Sequence, residues 1–373
     1  MQHMGDITRI DGGAVPPANV IIGGSPCQDL SIAGRRAGLA GERSGLFMEQ
    51  IRIIKEMRRA DAESRGRTGR GIRPRFMVWE NVPGAFSSNR GNDFGSVLRE
   101  TLKVVCEETP VVPVPDNGWP TAGCIQVDGK CSLAWRVFDA QFWGVPQRRR
   151  RIALVADFGG LSAPEILFER EGVPGYPPQS GTAWKRIASY PYPGPERDDC
   201  LFPKECIVNP AIHIQENCIN FAGCNGKNWT ENAIYTLNKS PQCVTKNENQ
   251  HYIIRRLTPL ECERLQGFPD CWTEIGAWMD TAGREHKESS DSARYKALGN
   301  SIAIPPWFYV LQRLSIACGT DKTMASLFDG IGGFPLIWEG LHGHGSCLWA
   351  SEIEEFPIAV TTEHFGDYDH GKR

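Results

Sequence analysis

At 373 residues, with 40% hydrophobic and 23% charged side chains, the chain is long enough for a sizeable core and about two domains. A net charge of −3 excludes a nucleic-acid coat, while leaving room for a local phosphate-binding patch. There is no apolar run of membrane length and no signal peptide, and the 13 scattered cysteines form no Cys-x-x-Cys pair, so the reading is a reduced cytoplasmic protein with no membrane contact, disulfide framework or metal.

Near the start, Gly5-Asp6-Ile7 precedes a Gly/Pro-rich loop. Val20-Ile21-Ile22 then reads as a buried parallel strand. Gly23, Gly24 and Pro26 stop it abruptly and leave Cys27 at its lip, where open α/β sheets hold ligands. A lone Pro-Cys is more often an inert buried thiol. The following loop, about 32–45, is basic and punctuated by glycines, which suits a lid.

Ser44 is a candidate cap for a helix to about Ala60, with Leu46, Phe47, Ile51, Ile54 and Met57 near helical spacing. Residues 61–75 hold five arginines and read as a flexible surface insertion. Phe76-Met77-Val78-Trp79 is a second buried strand, and it ends in Glu80-Asn81-Val82-Pro83-Gly84. Glu80 gains meaning from sharing a sheet edge with Cys27. A helix over roughly 93–107 and a strand over Trp135–Ala140 follow.

Gln147-Arg148-Arg149-Arg150-Arg151 then runs straight into the apolar strand Ile152–Ala156. A period of two puts Gln147, Arg149 and Arg151 on one face. Arginines entering a strand point to an anionic or hydrogen-bond-rich ligand. Residues 160–250 change character, with short apolar runs and frequent Pro, Gly and Asn, and read as an irregular, partly β unit. Order returns at Thr258-Pro259-Leu260-Glu261, a capping box, with Gly267 as the stop. Residues 280–294 read as polar loop. Gly299-Asn300-Ser301 and a helix from about Pro305 to Cys318 come next. Met324–Phe334 reads as strand, glycine turn and helix, and Leu348-Trp349-Ala350 as the next strand. Glu352 follows Gly332 by about 20 residues, the spacing at which a second-strand carboxylate reaches a ribose.

Pro26-Cys27-Gln28, Glu80-Asn81-Val82, Gln147-x-Arg149-x-Arg151, the Arg256–Pro269 block, Gly299-Asn300-Ser301 and Phe328-x-Gly330-x-Gly332 together resemble the motifs of DNA (cytosine-5)-methyltransferases of bacterial and phage restriction-modification systems. The resemblance covers most of the chain outside roughly 160–250. It implies an α/β, Rossmann-like S-adenosylmethionine-dependent methyltransferase sheet with a smaller irregular target-recognition domain. The division would be 1–159 and 291–373 for the catalytic part and 160–290 for target recognition. It further implies methyl transfer to carbon 5 of cytosine within a specific DNA sequence, through a covalent cysteine adduct on a flipped-out base.

By the same resemblance Cys27 is the nucleophile and Glu80 the acid at N3. Arg149 and Arg151 hold the base. Phe328, Gly330, Gly332, Glu352, Ile353, Asp6, Ile7, Asn300 and Ser301 bind S-adenosyl-L-methionine. Ser31, Arg35, Arg43 and Gln147 are candidates for DNA contact. The partners implied are double-stranded DNA and a cognate restriction endonuclease, with the chain itself a monomer. The motif order departs from the family, because the cofactor motif stands near the end. Joining residue 373 to residue 1 would restore the usual order, as in a circular permutation. Three other readings compete: a tRNA cytosine methyltransferase, a catalytically silent DNA binder, and a nucleotide-binding oxidoreductase. The long variable segment, the intact Cys27, Glu80, Arg149 and Arg151, and the missing third glycine count against them in turn.

Overall fold

The computed structural model describes residues 1–25, 45–66, 68–127, 129–168, 219–221, 229–231, 234–235, 242–246 and 252–366. Cys27, Ser31, Arg35, Arg43 and the expected lid lie outside the described residues. The main strands are β1 (Gln2–His3), β2 (Val20–Gly23), β3 (Phe76–Asn81), β4 (Ala122–Val127) and β5 (Cys131–Asp139). After them come the short β6 (Gln147–Arg148) and β7 (Arg150–Asp157). Residues 219–256 contribute β8 (Ile219–Phe221), β9 (Trp229–Glu231), β10 (Ile234–Tyr235), β11 (Gln242–Lys246) and β12 (Tyr252–Arg256). A small hairpin, β13 (Trp278–Met279) with β14 (Glu285–His286), precedes β15 (Met324–Leu327) and β16 (Cys347–Ser351).

Among the described residues the large sheet has the order β1-β16-β15-β2-β3-β7-β5-β4. The first five strands are parallel, and β7, β5 and β4 continue antiparallel. Chain direction therefore turns over beside β3, and the start of β7 lies at the same sheet edge as the end of β3. A separate antiparallel sheet, β12-β11-β8-β9, belongs to the segment expected to be partly β.

Successive side chains of β2 enter opposite cores, as strand alternation requires. Val20 and Ile22 pack on one face with α4 (Pro259–Gln266), α6 (Ile304–Ala317), α7 (Gly333–His342) and α8 (Glu355–Phe365). Ile21 packs on the other with α1 (Leu46–Arg65) and α2 (Asn92–Leu102). The short α3 (Ala163–Leu167) joins the first of these faces, as does α5 (Asp291–Asn300). The result is a helix–sheet–helix sandwich. No helix among the described residues is long and apolar enough to cross a membrane.

Local signals in the sequence account for several boundaries. Thr258 accepts from the Glu261 amide, Glu261 reaches back to the Thr258 amide, and Gly267 closes α4 in the left-handed region at φ 78°. Other expectations need correction. The helix expected to end near Ala60 runs on to Arg65, and the stretch 61–75, although exposed as expected at Glu63, Ser64 and Thr68–Gly71, is tied into the fold at both ends. Asp61 is buried and takes both the backbone amide and the guanidinium of Arg73, at 2.9 and 3.0 Å. Arg75 makes a two-pronged ion pair with the fully buried Asp157, 2.9 Å on each arm. Burial pushes the Asp157 carboxyl up, but Arg75, Ser162 and the Gly159 amide outweigh it and hold it below the usual aspartate range. A polar composition here hid internal ion pairs. The stretch 280–294 is likewise not all loop, since Ser290 caps α5 by accepting from the Ala293 amide at 3.3 Å.

Candidate active site

Five parallel strands bring five loop segments to one edge of the sheet. β1 leads to Gly5-Asp6, β16 to Glu352, β15 to the loop Phe328–Gly332, and β2 to Gly24-Ser25 and on toward Cys27. The last, β3, ends in Glu80-Asn81. The sequence continues outward in both directions from β15 and β2, so the crevice at that switch point is where an open α/β sheet takes a ligand.

The pair Glu80–Arg151 stands at this edge. β3 and β7 run antiparallel with Glu80 opposite Ala153 and Asn81 opposite Ile152. This register carries Arg151, at the entrance of β7, back over the exit of β3. Its Nε lies 2.8 Å from Glu80 Oε1, and the two side chains are only 16% and 14% exposed. Gly24 passes directly beneath, so close that a β-carbon there would lie 2.8 Å from Glu80 Oε2.

The other members of the arginine run have different duties. The expected face alternation holds, with Gln147 and Arg149 buried and Arg150 exposed. The Arg149 guanidinium, however, donates to the backbone carbonyls of Gly299, at 3.1 Å, and Ser301. It ties the Gly299-Asn300-Ser301 turn to the sheet, while Arg151 alone of the two makes the ion pair with Glu80. Gln147 is fully buried, and its strand β6 pairs with β10, with Ile234 opposite Gln147. As a contact to DNA, expected of a surface residue, it has no exposed area.

Three side chains that had no assigned role in the sequence fasten the turn that leads to Cys27. Trp79 Nε1 donates to Ser25 Oγ at 3.0 Å. Asn81 Nδ2 donates to the Ser25 carbonyl at 3.3 Å, and the Val82 amide donates to Asn81 Oδ1 at 2.8 Å. All three groups are buried. Asn81 is legible in the Glu-Asn-Val motif, but its partner is visible only once β2 and β3 are set side by side.

On the other side of the switch point, Phe328, Gly330 and Gly332 all adopt left-handed backbone, with φ of 54°, 57° and 77°. The glycines suit that region and the phenylalanine is strained in it. Glu352 Oε2 accepts from the Gly330 amide at 2.8 Å, and its Oε1 accepts from the amides of Ile353 and Glu354 at 2.7 and 2.9 Å. Ile353 is 69% exposed beside it and offers an apolar face. Asp6 comes from the neighbouring strand end and accepts from the amide and hydroxyl of Thr8, which, the amide first, lower its pKa. Ile7 is turned into the core. Gly5 and Ser351 are joined by a 2.7 Å hydrogen bond, and the Met1 ammonium donates to the Phe365 carbonyl at 2.8 Å. Asp6 and Glu352, far apart in sequence, thus share one rim.

The glycine turn, the carboxylate on the next strand and the exposed apolar residue fit an adenosine-bearing ligand such as S-adenosylmethionine. At Gly332 a β-carbon would come within 2.6 Å of the Phe365 ring and 2.9 Å of Thr361 in addition to its left-handed φ. Gly332→Ala is therefore expected to destabilise the protein by about 2 kcal/mol or more and to abolish cofactor binding. A thermal melt alongside calorimetric titration with S-adenosylmethionine checks both effects.

Sheet order, crevice and glycine turn define an α/β fold of the S-adenosylmethionine-dependent methyltransferase class. The chain belongs to the C-5 cytosine-specific DNA methylase family, whose model matches residues 1–105 and 128–315. It is 28% identical to a DNA N-6-adenine-methyltransferase of Escherichia phage P1, over 86% of this chain and 56% of that protein. It is 25% identical to the Type II methyltransferase M1.ScrFI of Lactococcus lactis subsp. cremoris, over 83% of this chain and 65% of that one. The chain thus spans rather more than half the length of these relatives. The solved S. pombe Dnmt2 methyltransferase overlays with a TM-score of 0.40 at 17% identity, covering 83% and 84% of the two chains, a likeness too low to bear weight.

Proposed function

We propose that this chain transfers a methyl group from S-adenosylmethionine to carbon 5 of cytosine in double-stranded DNA, through a covalent adduct of Cys27 with a flipped-out base. The observation that carries the reading is the Glu80–Arg151 pair, 2.8 Å apart and mostly buried, at the strand edge from which Ser25-Pro26-Cys27 departs. Carbon 5 of cytosine is a weak nucleophile. Addition of the Cys27 thiolate at carbon 6 turns carbon 5 into an enamine carbon. Glu80 gives a proton to N3 as charge builds there, and Arg151 orients Glu80 and the base edge. S-adenosylmethionine, when bound, supplies an electrophilic methyl. Loss of the carbon 5 proton then expels the thiol and frees Cys27.

Arg149 acts at one remove, holding the Gly299–Ser301 turn at which Asn300 and Ser301 would meet the methionine end of the cofactor. Phe328, Gly330 and Gly332 would cradle it, Glu352 accept from its ribose hydroxyls, and Asp6 and Ile353 flank its adenine. Ser31, Arg35 and Arg43 remain proposed DNA contacts in a loop that closes on the flipped base. Residues 160–290 are the proposed target-recognition domain, although Leu257, Cys262, Leu265 and Phe268 within it pack in the core of the catalytic sheet.

The order of motifs supports a circular permutation. The family match ends at residue 315, before the glycine turn at 328–332, and β1 pairs in parallel with β16 from the far end of the chain. We further propose a monomer acting inside the cell beside a restriction endonuclease.

One relative's name favours a second reading, methylation of adenine at N6. Incubating DNA with the full chain and S-adenosylmethionine, then analysing the nucleosides by mass spectrometry, separates the two. 5-Methylcytosine is the expected product, and bisulfite sequencing would map its sites. N6-methyladenine without 5-methylcytosine would overturn the cytosine reading.

A further inference from the structure

Asp329 has no part in the chemistry above, yet it is a buried carboxyl with one oxygen unpartnered. It stands inside the glycine turn, between the left-handed Phe328 and Gly330. Its backbone is pinned on both sides, the amide donating to the Ser351 carbonyl at 3.1 Å and the carbonyl accepting from the Gly332 amide at 3.1 Å. Asp329 is 5% exposed, Oδ1 accepts from Ser326 Oγ at 2.5 Å, and Oδ2 has no hydrogen-bond partner.

No ion pair to Asp329 occurs among the described residues. The titratable groups around it are both on β16 or just past its end, namely Glu352 and the buried thiol of Cys347. Cys347 in turn also feels Glu339 of α7 and the amino-terminal ammonium. An unpaired buried carboxylate costs several kcal/mol, so such a group stays protonated instead. Burial, with a contribution from Glu352 and against the Ser326 hydrogen bond, pushes the Asp329 carboxyl up to about 8.

We infer that Asp329 is a positioning residue of the cofactor turn that works as the neutral acid, paired across Gly330 with Glu352. Glu352 holds the Gly330 amide on one side of the turn, and uncharged Asp329 fills the other side without repelling it. Ionised, Asp329 sets a buried negative charge beside the half-buried Glu352 carboxylate, and the Gly330–Glu352 contact is the one it opposes. The inference rests on reading this turn as the S-adenosylmethionine site.

The sign of the pH effects follows from the raised value. In the unfolded chain Asp329 ionises near 3.8, and in the folded chain near 8. Wild type is therefore progressively penalised as pH rises from about 4 to about 8, and the penalty is constant above that. On this inference cofactor affinity is expected to be flat up to about 8 and to weaken beyond it.

Two measurements on the chain of residues 1–373 test this, comparing wild type with Asp329→Asn and Ser326→Ala. The first is the Kd for S-adenosylmethionine by equilibrium dialysis between pH 6 and 9.5. Relative to Asp329→Asn, which is neutral throughout, wild type is expected to lose affinity above about 8. Ser326→Ala, lacking the hydroxyl that favours the anion, moves that break to higher pH. Parallel profiles for wild type and Asp329→Asn overturn the inference. The second is Tm without cofactor over the same range extended to pH 4. The advantage of Asp329→Asn over wild type is expected to grow toward pH 8 and then level off, and a gap independent of pH overturns the inference. If neither protein binds the cofactor at any pH, the cofactor reading fails, and the Tm comparison alone decides whether Asp329 is a neutral acid in the fold.

Discussion

Cys27→Ala is expected to reduce methyl transfer to background while DNA binding survives. The reason is chemical. Without a thiolate at carbon 6 there is no enamine, and carbon 5 does not attack a methyl donor at a useful rate. The substitution removes one sulfur and leaves the Trp79–Ser25–Asn81 clasp untouched. A gel-shift titration and a tritiated-methyl assay on the same preparation separate the two effects. The companion result is a wild-type adduct with 5-fluorocytosine DNA that survives denaturation, because fluorine cannot leave as a proton does and the thiol stays attached. Full activity in Cys27→Ala would sink the covalent mechanism.

The second large effect is expected at Glu80. Glu80→Gln keeps the shape and one hydrogen-bond acceptor for Arg151, but removes the acid. Loss of a positioned proton donor lowers kcat by about 10²–10⁴. DNA affinity should change little, since the pair is only 14–16% exposed and presents little charge to the backbone phosphates. Arg151→Ala should lower kcat as well, by leaving Glu80 without its orienting partner. Because part of the Arg151 effect passes through Glu80, the double variant should lose less than the product of the two single losses. Single-turnover rates for the three proteins give the coupling directly. Additive losses would mean that Arg151 works independently of Glu80.

Much of this site was legible because strand ends are local events. Apolar runs that stop at Gly-Gly-x-Pro or at Val-Pro-Gly marked the ends of β2 and β3 and, on β3, Glu80 at the sheet edge. The glycine turn with an acid about 20 residues on marked Glu352. Thr258, Glu261 and Gly267 announced both ends of one helix. The anchored ends of residues 61–75 were missed for a related reason. Composition counts charges but not their partners, and Asp61 and Asp157 lie outside the arginine-rich window or at its margin.

The sequence by itself determined where the buried strands end and which polar side chains, Glu80 and Glu352 among them, follow there, since turn residues and apolar periodicity act over a few positions. Only the tertiary structure decided how those ends meet. It set β7 antiparallel to β3, which gave Glu80 to Arg151 and turned Arg149 to the Gly299 and Ser301 carbonyls. It also brought β1 beside β16, which put Asp6 and Glu352 on one rim. It enclosed Asp329, a residue that reads as an ordinary turn former, without a counter-charge among the described residues. Strand direction, register and burial arise from contacts between distant parts of the chain, and no local pattern carries them.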